Sequence, residues 1–159
     1  MKTQPCWKPY ASWVLASEAV GAASGFLIRK GIALYNASAV KPPLSPPPIV
    51  FPVVWTALYA LMGVGMARVS LSAKGKQRRD ALRAFWTQLA LNFCWSILFF
   101  KLGAYGAAFF CLMALWAAIL WTISAFRRAD LAAARLQLPY LLWVTFAGYL
   151  NLGVWILNR

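Results

Sequence analysis

The sequence contains no histidine and has only three acidic residues. Histidine and carboxylate side chains supply many of the protein ligands of zinc, the proximal ligand of many haem proteins and two members of a Ser-His-Asp triad. Their scarcity argues against all three kinds of site, and we expect no metal and no required cofactor. The three cysteines, Cys6, Cys94 and Cys111, are odd in number and lack Cys-x-x-Cys spacing, which argues against a disulfide framework.

Charged residues are also scarce, at 12% of the 159 residues, whereas 62% are hydrophobic and nine are tryptophan. Soluble domains are typically ~25% charged and ~45–50% apolar. This chain therefore has too little polar surface to cover a globule in water. The net charge of +13 would fit a nucleic-acid partner, but the sixteen basic residues form short clusters between uncharged runs. We expect no nucleic acid, and predict a membrane protein surrounded by lipid.

Five apolar segments are long enough to cross the hydrocarbon layer, which takes ~17–25 residues of helix. They cover residues of about 10–28, 49–67, 84–100, 105–126 and 136–157. Because lipid offers no hydrogen bonds to the backbone, these spans must be helical. The sequence predicts an all-α fold: a five-transmembrane-helix bundle, integral to the membrane, forming a single domain over residues 1–159. The longest outer loop is predicted at about 29–48.

Basic residues are distributed unevenly between the two sides of such a bundle. Five lie on the side of the first loop, and eleven lie on the other side: Lys2, Lys8, Arg68, Lys74, Lys76, Arg78, Arg79, Arg83, Arg127, Arg128 and Arg135. Positively charged loops stay in the cytoplasm during insertion. The amino end is therefore predicted to be cytoplasmic, with the carboxyl end and the 1–2 loop outside. This bias fits a bacterial inner membrane, and no organelle-targeting presequence is evident.

Three of the predicted helices carry aromatic and polar residues at three- and four-residue spacing, which places them on one face of each helix. The stripes are Trp55, Tyr59, Met62 and Met66; Gln88, Asn92, Trp95 and Phe99; and Tyr140, Trp143, Ala147 and Asn151, with Leu150 close by. Simple packing would explain each stripe, since amides in membrane helices often only bond a neighbouring helix. Their recurrence on three helices instead indicates a cleft for a flat apolar ligand with a few polar contacts.

Glu18 is the only carboxylate within a predicted span. A charge in this position is costly and by default marks function. Two structural roles are equally compatible with the sequence: a protonated Glu18 bonded to a neighbouring helix, or a position near the membrane boundary. No second acid or base lies within a span, which weakens proton-coupled transport as a role.

Five prolines lie within residues 41–48, immediately before the second span. Proline fixes φ and has no N–H to satisfy, so a run of prolines favours a stiff, extended segment. Such a segment can lie across a partly apolar opening at low cost. The sequence predicts either a stiff connector or a lid.

Three stretches resemble the motifs of one membrane protein family, in order and over nearly the whole chain. They are PPLSPPPIVFPVVWTALYALMG at 42–63, LNFCWSILFF at 91–100 and PYLLWVTFAGYLN at 139–151. The family is TspO/MBR, which includes the translocator proteins, also known as peripheral-type benzodiazepine receptors, and the tryptophan-rich sensory proteins. The resemblance implies a five-helix membrane protein, commonly a homodimer, that binds protoporphyrin IX, other tetrapyrroles and other flat apolar ligands between its helices.

The resemblance also implies particular pocket residues under the first loop. They are Tyr35 in that loop and Trp55, Asn92, Trp95, Trp143, Ala147 and Leu150 on the helices, to which the second-helix stripe adds Tyr59. Leu44 and Ile49 replace aromatic residues that many members carry, so the lid should be less aromatic. Leu152 and Ile156 replace the Tyr and Arg of a proposed sterol motif, which argues against sterol binding by that route.

Three functions are compatible with these patterns. The first is a receptor that binds, senses or moves a tetrapyrrole. The second is a light-dependent porphyrin-degrading enzyme; without an acid–base pair, its candidate catalytic residues are Trp55 and Trp143. The third is a membrane scaffold or transporter without tetrapyrrole binding.

Overall fold

The computed structural model describes residues 6–159, in which every regular element is a helix. The helices are α1 (Trp7–Ser38), α2 (Val50–Ser72), α3 (Gly75–Ser96), α4 (Tyr105–Ala129), the short α5 (Leu131–Arg135) and α6 (Leu138–Leu157). A π-helical turn, Ile97–Lys101, continues α3. The predicted all-helical architecture with five long helices is confirmed. Lys2, which counts toward the predicted cytoplasmic charge, lies outside the described residues.

Four segments within residues 6–159 are long and apolar enough to cross a membrane: α1, α2, α4, and α5 together with α6. The fifth long helix, α3, does not meet this criterion, since its first nine residues include five charged ones and its apolar part continues into the π-helical turn. Four such apolar helices fit an integral membrane protein.

The helices continue past the apolar runs, so three predicted boundaries are wrong. α1 extends from the predicted end at 28 to Ser38, α2 extends to Ser72, and α3 begins at Gly75 rather than at 84. The connection between α1 and α2 is therefore 39–49, and Tyr35 lies on α1 rather than in a loop. Charge marks where the chain leaves hydrocarbon, but in water it does not interrupt a helix. Arg29, for example, is exposed and lies 4.0 Å over the ring of Phe26.

The inner half of the bundle, at the end with the α2–α3 and α4–α5 connections, is closely packed. Met62, Met66, Phe85 and Phe126 are fully buried there. α1 and α2 cross closely at Gly63, where an added Cβ would lie 2.5 Å from the Cα of Val14. Such a contact tolerates only glycine, so this crossing fixes the distance between the two helices. Toward the outer end, both helices line a cavity, and a Cβ added at Gly25 of α1 would meet nothing within 4 Å.

Asp130 joins three elements at the inner end of the bundle. Its carboxylate accepts a hydrogen bond from the Ala133 N–H at 2.9 Å, which caps α5, and forms an ion pair with Arg68 of α2 at 2.9 Å. Burial would raise the pKa of Asp130, but the Ala133 N–H and the Arg68 guanidinium together hold it below its usual range. Asp130 therefore stays ionised at neutral pH and ties the end of α4 to α2.

Candidate ligand-binding cavity

A cavity of about 420 Å³ lies between α1, α2, α3 and α6 in the outer half of the bundle. This volume is within the ~300–1,000 Å³ range of small-molecule sites. Most of its lining is apolar, and six of its rings are Tyr35, Phe51, Trp55, Tyr59, Trp95 and Phe99. The cavity therefore has the size and surface of a site for an aromatic or otherwise flat apolar molecule.

Three aromatic pairs along one wall of the cavity have similarly inclined rings. The Trp55 ring lies 5.8 Å from Tyr59 and 6.2 Å from Trp95, with interplanar angles of 35° and 36°. Trp95 in turn lies 5.6 Å from Phe99 at 33°. Aromatic faces interact best in offset-stacked or edge-on arrangements. A planar ligand that lies along this wall can contact several of these rings.

Hydrogen bonds between helices hold two of these rings in place. The Trp95 indole N–H donates to the Asn151 side-chain oxygen at 3.0 Å, and the Asn151 amide donates to the Tyr105 carbonyl at 2.8 Å. The Asn92 amide donates to the Tyr59 hydroxyl at 3.1 Å. Because all these bonds join two groups of the protein, the side-chain amides of Asn92 and Asn151 serve first to orient the aromatic wall.

Seven of the eight residues predicted to bind ligand line this cavity. They are Tyr35, Trp55, Tyr59, Asn92, Trp95, Ala147 and Leu150, and the predicted intramembrane acid Glu18 lines it as well. Helical periodicity on α2, α3 and α6, with the family motifs, therefore identifies residues that the fold brings together.

Trp143 is the exception, and the expectation that it shares a slot with Trp55 is wrong. Its ring lies in a separate shallow groove between α2 and α6, 5.7 Å from Phe146. Phe51, whose ring is 5.8 Å away, lines the cavity and separates Trp143 from it. Three- and four-residue spacing places Trp143 and Ala147 on one face. It does not show which part of that face turns toward the groove between α2 and α6, where Trp143 lies.

α1 supplies a fourth wall that the three stripes do not include. Its cavity-lining residues include Glu18, Gly21, Gly25, Ile28, Ile32 and Tyr35, spaced alternately three and four apart. The pattern crosses Arg29 and Lys30, where the apolar run ends but the helix does not. Gly21 has a clear steric role, because an added Cβ would lie 2.5 Å from the ring of Tyr59.

Residues 39–49 cross the outer end of the bundle and are fastened to α6. The Asn158 side chain accepts from the Val40 N–H at 2.9 Å and donates to the Val40 carbonyl at 2.8 Å. The Tyr149 hydroxyl donates to the Pro43 carbonyl at 2.8 Å, and Gly153 packs directly against Pro42. We call this fastened segment the strap.

The strap contributes little aromatic surface to the cavity. Leu44 is 83% exposed and has a φ of 66°, in the left-handed region, so its side chain faces away from the cavity. Of the strap residues, only Pro48 lines the cavity. Leu44 and Ile49, both exposed, therefore leave the outer end less aromatic.

Asn158→Ala should loosen the strap without changing the cavity wall. It removes both hydrogen bonds to Val40, each with a net contribution of about 0.5–1.5 kcal/mol. We expect amide hydrogen exchange at residues 39–45 to accelerate roughly tenfold. Ser38→Ala is the matched control, because the Ser38 hydroxyl bonds only the Leu34 carbonyl of its own helix. Equal exchange rates in the two variants would show that Asn158 does not hold the strap.

The fold and the cavity define a class: a helical-bundle protein whose helices are long and apolar enough to span a membrane, with a cavity of small-molecule size among them. The model of the TspO/MBR family matches residues 9–156. The chain is 38% identical over 141 residues to "Tryptophan-rich protein TspO" of Chlorobaculum tepidum, covering 88% of this chain and 89% of that one. It is 37% identical over 150 residues to "Protein CrtK" of Rhodobacter capsulatus, covering 94% and 92%. With "Translocator protein" of Ovis aries it shares 33% over 157 residues, covering 98% and 93%. The chain belongs to the TspO/MBR family.

Proposed function

We propose that this protein is a membrane receptor that binds a flat apolar ligand of the tetrapyrrole class, such as protoporphyrin IX, in the cavity. The main support is the aromatic wall formed by Trp55, Tyr59, Trp95 and Phe99. Each aromatic contact contributes about 0.5–1.5 kcal/mol beyond area burial. Stacking on several of these rings would hold a macrocycle without covalent or metal chemistry.

The orientation of the ligand follows from the charges around the cavity. No lysine or arginine lines the cavity within residues 6–159, whereas Lys41 lies at its outer end, 5.1 Å from the ring of Tyr35. Propionates of a porphyrin would therefore point outward, toward Lys41 and water. An exposed lysine adds little energy, so the aromatic wall would supply most of the affinity.

Membrane placement and assembly belong to the same proposal. The basic residues of the α2–α3 and α4–α5 regions support a cytoplasmic amino end, with the strap and the carboxyl end outside, in a bacterial inner membrane. A homodimer rests on the family resemblance alone. Relatives named as sensory and translocator proteins support either signalling by the occupied receptor or movement of the ligand.

Light-driven degradation of the porphyrin is the second candidate. The observation that favours it is Trp55 at the cavity wall, where an excited macrocycle would be in contact with an oxidisable ring. Trp143 lies behind Phe51, outside the cavity, so any such chemistry would depend on Trp55 first. Illumination of the complex in air should then yield a product that Trp55→Phe abolishes and Trp143→Phe does not.

Binding in the dark tests the receptor proposal directly. Protoporphyrin IX titrated into detergent-solubilised protein should quench tryptophan fluorescence to saturation. Trp55→Ala should weaken the Kd tenfold or more, about 1.4 kcal/mol, because it removes a central stacking surface. Trp121→Ala is the control, since Trp121 is 45% exposed on α4 and lies outside the cavity lining. Quenching that does not saturate, or that responds equally to both changes, would support the scaffold or transporter alternative instead.

A further inference from the structure

The inner end of the cavity differs chemically from the aromatic wall. Glu18 lies 17 residues before Tyr35 on α1, about 25 Å along the helix axis, and both line the cavity. Near Glu18, the ring of Tyr59 packs on Gly21, and Asn92 donates to the Tyr59 hydroxyl. A carboxylate, a phenol and an amide are therefore grouped at the end of the cavity farthest from the strap.

Glu18 has no partner among the residues that the structure describes. Within 6–159 no group donates a hydrogen bond to its carboxylate, and the only ion pair is that between Arg68 and Asp130. Glu18 is therefore not bonded to a neighbouring helix, which was one of the two structural roles compatible with the sequence. A carboxylate in a mostly apolar cavity is costly unless it is paired, and Glu18 is only partly buried, so its carboxylate is free to accept a partner from a ligand that enters the cavity.

We propose that the inner end of the cavity is a subsite for a positively charged N–H donor on a flat ligand, such as a protonated amine or ring nitrogen. Glu18 supplies the acceptor, and the nearby faces of Tyr59 and Trp55, 5.8 Å apart, supply cation–π attraction. The same carboxylate repels ligand carboxylates, so it directs anionic groups toward the strap. This inference rests on the proposed binding function and adds the polarity of the ligand.

Three probes of similar size and different charge test the subsite. They are 9-aminoacridine, a three-ring cation at neutral pH, 9-methylanthracene, which is neutral, and 9-anthracenecarboxylate, an anion. Each is titrated into the detergent-solubilised full chain, with tryptophan quenching as the readout. Specific binding is the part that Ala147→Phe removes, which corrects for partition of the probes into detergent.

The wild-type protein should bind the cation at least tenfold more tightly than the anion. Glu18→Gln keeps the size and removes the charge, so it should reduce this preference to under threefold and change the affinity for the neutral probe by less than twofold. Asp80→Asn is the control, because it removes a carboxylate on α3 outside the cavity lining, and it should leave the preference unchanged.

Two results would overturn the inference and are distinguishable from each other. If the neutral probe binds and Glu18→Gln leaves the charge preference as it is in the wild type, the subsite is wrong and the cavity remains a binding site. If none of the three probes binds specifically to wild-type protein, the subsite is wrong, and the proposed binding function fails with it only if protoporphyrin IX titrated into the same sample also gives no saturable quenching. Thermal unfolding of each variant shows whether a lost signal reflects lost fold.

Discussion

Protein carrying Ala147→Phe is expected to lose saturable binding of protoporphyrin IX, with the Kd weakened at least a hundredfold, about 2.7 kcal/mol. Ala147 is 6% exposed and faces the cavity from α6, together with Leu150 and Asn151. A phenylalanine ring at this position would occupy space that a planar ligand needs. In a cavity of about 420 Å³, little volume is left for the ligand to move aside.

The measurement is a dark titration of purified protein in detergent, followed by tryptophan quenching and by the porphyrin absorption band. Ala117→Phe makes the same chemical change on the exposed face of α4, outside the cavity lining, and should bind as the wild type does. A thermal unfolding curve for each variant separates a blocked cavity from a damaged bundle. Wild-type affinity in folded Ala147→Phe would mean that the ligand binds elsewhere.

Apolar length predicts the number and type of helices, but not where they end. Hydropathy reports which residues can lie in hydrocarbon, whereas a helix ends only when its backbone hydrogen bonds stop. Arg29 and Lys30 lie in mid-helix, and α1 stops at Ser38, with Ala39 extended. At the other side, Lys76 to Arg83 form the first turns of α3. Stretches of water-facing helix of this kind cannot be found from an apolar window.

Cavity residues could be predicted from the sequence where their position on one helix face determines whether they line the cavity. Helical periodicity correctly places four residues on the faces that line the cavity: Trp55, Asn92, Trp95 and Ala147. Trp143 was not predictable in this way, because its environment depends on how far apart α2 and α6 lie at the groove between them. The distance between two helices is a property of both of them, and residue spacing within one helix does not give it.

The α1 wall was not predictable for a related reason. The spacing of Gly21, Gly25 and Ile28 is typical of a surface for close helix packing. Of the two glycines, only Gly21 has a neighbouring side chain at the position that a Cβ would occupy. Gly25 has nothing within 4 Å of that site and faces open space. Two glycines one turn apart thus have opposite surroundings, and the spacing that they share does not distinguish them.

The same helix carries a third glycine whose replacement should have the largest effect on stability. Gly31 is buried, and a Cβ added there would collide with the carbonyl oxygen of Phe100 and lie 2.5 Å from its carbonyl carbon. Phe100 belongs to the π-helical turn, so the obstacle is backbone rather than a flexible side chain. Gly31→Ala must therefore push α1 away from this turn.

We expect Gly31→Ala to destabilise the bundle by about 1–3 kcal/mol, as overpacking in a close contact does, and to lower the midpoint of thermal unfolding in detergent by several degrees. Gly25→Ala is the matched change and should have the opposite effect, raising the stability of the bundle. It meets no atom within 4 Å, and replacing a helical glycine by alanine gains about 0.5–1 kcal/mol. Because Tyr35, Phe99 and Phe100 all line the cavity near this contact, Gly31→Ala should also weaken porphyrin binding. Gly25 lines the cavity as well, so Gly25→Ala is the reference for stability only. Equal shifts in both variants would show that α1 and the π-helical turn are farther apart than the contact at Gly31 requires.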